Sequence, residues 1–209
     1  MEEKMKVDNI SMRVLLETVT NIIGVNGLNS VLNYAKLQSY INNFPPLDDK
    51  LEVPLEDFHK IRKSIRDVFG EKGSRVLLRN TGIELMKIYL ERVSTLGKLV
   101  KTAITLMPEE KKIKYTVQAW TDQVTQKVKT PMGKSRYEVK EEDGNIFLID
   151  RDNLMINENS GDNSDGYFVI GILQYLTEWS TGKKYDIVQT KSKAKGDEVD
   201  EYKISKFLD

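Results

Sequence analysis

The feature that most constrains this chain is a change of periodicity near Thr130-Pro131-Met132-Gly133. Before it, apolar residues recur every three or four positions, which places them on one face of a helix. After it they alternate, as in a half-buried strand. Helices first and strands afterwards predict an α+β fold. A helical amino-terminal half packs on a small antiparallel sheet, with one helix inserted before a carboxy-terminal hairpin.

Val14, Leu15, Val19, Ile22 and Ile23 predict a short helix ending at Gly24, and Leu28, Val31, Leu32 and Ala35 predict a second over 28–40, stopped by Phe44-Pro45-Pro46. PPLDDKLEVP reads as a loop. Leu55, Phe58, Ile61, Ile65 and Val68 give an amphipathic helix that stops near Gly70. From Val76 to Met107 two faces are apolar, the pattern of a central helix. Pro108-Glu109-Glu110 suits a first helical turn, where proline loses no hydrogen bond and carboxylates meet the positive end of the dipole. The next segment is ambiguous: Ile113, Tyr115, Val117 and Ala119 alternate, while Ile113, Val117, Trp120, Val124 and Val128 repeat as a helix. The longer match and the start signal favour the helix.

Further on, Tyr137 and Val139 precede Asp143-Gly144, and Ile146 and Leu148 follow it, a hairpin signal. NENSGDNSDG (157–166) reads as a loop. Phe168, Ile172, Tyr175 and Trp179 then predict a helix with a buried face, ended by Gly182. Two strand-like runs, 184–191 and 201–207, close the chain around Gly196-Asp197.

Composition excludes several chemistries. Thirty-two basic and thirty-two acidic side chains cancel, so no global field recruits nucleic acid or an anionic membrane. The chain has no cysteine, which excludes disulfides, thiolate nucleophiles, iron–sulfur clusters and cysteine-ligated zinc. The amino terminus has no continuous apolar core of a signal peptide, and no apolar run reaches the roughly 20 residues of a membrane span, so a cytoplasmic protein is expected. His59 is the single histidine and sits on a charged helix. No Gly-x-Ser-x-Gly elbow, phosphate-binding loop or dinucleotide fingerprint occurs. The carboxylate clusters Asp48-Asp49, Glu109-Glu110 and Glu141 to Asp143 read as solvated turns or helix starts. Asp162, Asn163 and Asp165 lack the spacing of a calcium loop. Lysines 183, 184, 191, 193 and 195 read as edge-strand protection.

The stretch GYFVIGILQYLTEWSTGKKYDIVQTKSKAKGDEVDEYKIS, residues 166–205, resembles the end of the 4-vinyl-reductase-like, hydrocarbon-binding superfamily. Phe168 and Gly171 match its helix, Thr181-Gly182-Lys183 its turn, and Ala194, Gly196, Asp197 and Tyr202 its hairpin. IRKSIRDVFGEKGSRVLLRNTG, residues 61–82, is similar to that family's entry. The resemblance implies a fold shared with TRAPP trafficking subunits, an apolar interior, and a homodimer. Where relatives hold zinc through cysteines, this chain has Ser192 and Asp200, so no metal and no cofactor are expected.

Taken with the absence of catalytic groups, this implies a non-enzymatic binding or sensory domain for a small hydrophobic or aromatic ligand. The alternatives are an accessory or scaffold subunit and, less favoured, an accessory factor in vinyl-group reduction. Tyr89, Trp120, Phe168, Tyr175 and Trp179 are the expected ligand-lining residues, because large aromatic area on apolar helix faces is what such a pocket needs. Residues 1–54 are expected to form a helical extension that dimerises, and 55–209 the ligand-binding domain.

Overall fold

The computed structural model describes residues 5–93, 95–127, 136–151 and 166–206. The expected change of character at 130–133, the loop at 157–165 and the trio Asp162, Asn163 and Asp165 lie outside the described residues.

The chain begins with β1 (Lys6–Asp8) and α1 (Asn9–Tyr34), passes a short 3-10 turn at Gln38–Tyr40, and continues with β2 (Leu51–Pro54) and α2 (Leu55–Ile88). A π-helical turn at Tyr89–Val93 leads to α3 (Thr95–Ile104) and α4 (Glu109–Lys127). The hairpin β3 (Tyr137–Glu142) and β4 (Asn145–Asp150) precedes α5 (Gly166–Thr181), β5 (Tyr185–Lys191) and β6 (Asp200–Lys206). The α+β class, the helix after Pro108, the Asp143-Gly144 hairpin and the inserted helix are therefore as the sequence predicts.

Three expectations need correction. PPLDDKLEVP is not all loop: β2 pairs antiparallel with β1, Val7 opposite Val53, and Asn9 donates hydrogen bonds of 2.8 and 2.7 Å to Asp48 and Glu52. A strand this short carries too little alternation to be read from its own residues. Gly24 and Gly70 adopt φ of +76° and +68°, so both do break the helical path. Helix resumes directly after each, however, and the segments join as α1 and α2 with kinks instead of loops. Finally, the helix expected from Val76 to Met107 is divided by the π turn.

The larger sheet runs β3-β4-β6-β5, all antiparallel. The core joins α1, α2 and α5 with the inner face of this sheet. Leu15, Leu16, Val19, Val31 and Leu32, within the segment 1–54 expected to form a dimerising extension, are fully buried inside this core. Their apolar pattern is thus explained within one chain. Among the described residues no helix is long and apolar enough to cross a membrane.

Candidate functional site

α2, α4 and α5 converge beside the β1–β2 pair and line a partly open apolar cavity of about 90 Å³. α2 presents Leu85 and Met86, and the π turn presents Tyr89. α4 contributes Trp120 and Val124, and α5 contributes Phe168, Val169 and Ile172. Val7 and Ser11 from the amino-terminal segment, and Arg136 and Tyr137 from the start of β3, complete the wall. The i, i+4 spacing of Trp120 and Val124, and of Phe168 and Ile172, puts each pair on one helix face, so the wall follows from helical geometry.

The aromatic side chains are fixed by their neighbours. Trp120 and Tyr137 have ring centroids 5.8 Å apart in a tilted arrangement. Phe168 meets Phe58 edge-on at 6.0 Å, and the Arg62 guanidinium lies 5.2 Å from the Phe168 centroid and 5.5 Å from that of Phe58. Arg62 is only 2% exposed, so Phe168 both walls the cavity and covers a buried cation.

On the same wall, Arg136 donates two hydrogen bonds to Asp150, Nε to Oδ1 at 2.9 Å and a terminal nitrogen to Oδ2 at 2.8 Å. The pair is nearly solvent-free, with side chains 2% and 4% exposed. Its charges cancel at close range, so the pair adds no net charge to the wall. Burial holds the Tyr137 hydroxyl far above the ordinary phenol value, the Asp150 carboxylate pushes it further, and Arg136 opposes both. Tyr137 therefore remains a neutral phenol. Asp8, also on the wall, accepts the backbone N–H of Ser11 at 2.8 Å as the amino-terminal cap of α1. These side chains form no nucleophile–base pair, and the arrangement suits enclosure of a neutral apolar molecule.

Three of the five residues expected to line a ligand site, Tyr89, Trp120 and Phe168, meet at this cavity. Tyr175 and Trp179 lie elsewhere. The Tyr175 hydroxyl donates to Glu91 at 2.9 Å beside a separate groove with Arg79 and Tyr185. Trp179 is half-buried, with Lys101 Nζ 4.8 Å from its ring centroid. α5 is buried on several faces at once, so a single apolar stripe does not say which face meets the cavity. Leu85, Met86, Arg136 and Tyr137 escaped the sequence reading. For Arg136 a signal existed: the two-residue turn at Asp143-Gly144 sets Tyr137 opposite Asp150, so the arginine just before Tyr137 comes within reach of that carboxylate.

His59 is half-buried on the first part of α2 and does not belong to the described wall. Among the described residues no group of three histidine, aspartate or glutamate side chains could hold a metal.

Solved structures that share this fold are H-NOX, or heme-nitric oxide/oxygen binding, domains. The chain is similar to the Fe(II) unliganded H-NOX protein from K. algicida, with a TM-score of 0.64 and 11% identity over 97% of each chain. A point mutant of that protein matches at TM-score 0.61, 12% identity, and 95% and 96% coverage. A T. Tengcongensis H-NOX mutant matches at 0.54, 9% identity and 91% of each chain. At such identities the likeness establishes the fold alone. No protein-family description matches the sequence, and no curated protein does. The resemblance to the 4-vinyl-reductase-like superfamily and to TRAPP subunits is thereby corrected: the matching folds are H-NOX domains. The short motifs in 166–205 fit a helix, a turn and a hairpin, which any fold with a helix inserted before its last two strands also contains.

Proposed function

We propose that this chain is a non-catalytic sensory or binding domain whose apolar cavity holds a small neutral molecule of a few heavy atoms. The observation that carries this reading is the convergence of Tyr89 from the π turn, Trp120 from α4 and Phe168 from α5 on one apolar space. The size follows from comparison: a dry apolar cavity of about 150 Å³ accepts benzene or xenon, and about 90 Å³ leaves room for something smaller than benzene.

The structural neighbours raise the question of heme. K. algicida H-NOX is described with Fe(II), and other neighbours are described in terms of heme or porphyrin distortion. The residues here do not fit that group. Heme iron is held by histidine, thiolate, methionine or tyrosinate. The sequence has no cysteine, its one histidine lies off the described wall, and Met86 on that wall is therefore without the histidine that completes a Met/His ligand pair. Burial and the Asp150 carboxylate favour the neutral phenol of Tyr137, and Arg136 opposes them. The cavity is also well below the roughly 300 Å³ at which pockets for drug-sized ligands begin.

Xenon NMR tests the reading, because xenon is neutral, apolar and small enough for the site. A saturable xenon shift in the native chain, abolished by Val169→Phe with the fold retained, is expected. An equal response from both proteins would place xenon elsewhere and remove the basis for the proposal. The same small volume favours a second reading, an accessory or scaffold subunit with its interior filled by side chains. That reading predicts no saturable xenon response in either protein.

A further inference from the structure

The wall of the cavity is not uniform in what its large side chains do. Phe168 is 1% exposed, and its ring covers the Arg62 guanidinium and abuts Phe58. Removing it would leave a buried cation against a void. Tyr137 lies under Arg136, whose guanidinium carbon is 4.6 Å from its ring centroid and whose charge is bound to Asp150. Met86 is flexible and yields to a ligand without setting a boundary. Trp120 differs from all of these. Its ring contact is with Tyr137, it stands on α4 one turn before Val124 on the same wall, and it is 8% exposed. It is the bulkiest side chain on the wall, and its ring packs on that of Tyr137.

From this we infer that Trp120 is the residue that sets the upper size of the ligand. With the indole in place the site takes neutral molecules smaller than an aromatic ring; without it, the vacated space joins the existing cavity and admits benzene. The inference rests on the proposed ligand cavity and names the side chain that limits it. Physically, interiors this densely packed relax only in part when a large ring is removed, so much of the volume stays open.

The test compares native protein, Trp120→Phe and Trp120→Ala with two probes, xenon and benzene, read by NMR and by thermal shift. Native protein is expected to bind xenon and to show no saturable response to benzene. Trp120→Ala is expected to bind benzene about tenfold or more tightly than native protein, with a rise in Tm on saturation. Trp120→Phe is expected to fall between the two, and it carries the comparison if Trp120→Ala does not fold. Variants that fold and bind xenon but ignore benzene would overturn the role of Trp120 while leaving the cavity reading intact. So would benzene binding by native protein. Failure of every protein to bind either probe would instead remove the cavity reading itself.

Discussion

Gly82 of α2 and Gly171 of α5 lie backbone to backbone, and neither position has room for a Cβ. A methyl on Gly82 would overlap the Phe168 carbonyl oxygen and sit 2.9 Å from the Ile172 nitrogen and 3.2 Å from the Gly171 carbonyl carbon. One on Gly171 would overlap the Arg79 carbonyl. The obstructing atoms are main chain, so no rotamer change relieves the clash. The crossing brings Phe168 and Ile172 of α5 to the same cavity wall as Leu85 and Met86 of α2.

Gly82→Ala and Gly171→Ala are therefore expected to lose about 3 kcal/mol or more, the upper end of the range for overpacking, since two helices must separate. Urea unfolding measures the loss. A cost below about 1 kcal/mol at both positions would show that the helices are not in such close contact.

The buried pair Arg136–Asp150 gives a second prediction. Arg136→Leu or Asp150→Leu alone is expected to cost about 3–5 kcal/mol, because each leaves an uncompensated charge in a site 2–4% exposed. The double variant is expected to recover much of that loss, since a buried ion pair contributes little beyond a well-packed apolar pair. A double-mutant cycle by chemical denaturation checks this. Simple addition of the two losses would mean that the groups are not coupled.

Tyr40 supplies a pH prediction. Burial, then the charge and hydrogen bond of Asp57 at 3.1 Å, push its hydroxyl up to about 12 from 10.0. A phenol whose folded pKa is raised gives stability that is complete below pH 10.0 and is lost as the pH climbs to about 12. Tyr40→Phe is thus expected to reduce the alkaline loss of Tm in that window. In Asp57→Asn the Tyr40 pKa, read by carbon NMR of the ring, should fall while staying above 10.0, because burial is the larger cause. An unchanged value in Asp57→Asn would contradict the assigned hydrogen bond.

Much of the fold was legible because its signals are local. Pro108-Glu109-Glu110 starts α4, Gly182 follows α5, and Asp143-Gly144 fixes a hairpin, each through the backbone preferences of two or three residues. β1 and β2 were not legible, since three and four residues pair only when α1 brings them together. The candidate site was partly legible: helical spacing put Trp120 and Phe168 on apolar faces, but it put Tyr175 and Trp179 on such a face as well.

By itself the sequence determined the α+β class and the absence of thiolate chemistry, because both depend on residue type and short-range spacing. Tertiary structure alone decided that Tyr89, Trp120 and Phe168 share a cavity, that Arg136 meets Asp150, and that the fold is that of H-NOX domains. Those outcomes depend on how α2, α4 and α5 cross, and the crossing is set by contacts between residues far apart in the chain, of which Gly82 and Gly171 are one pair.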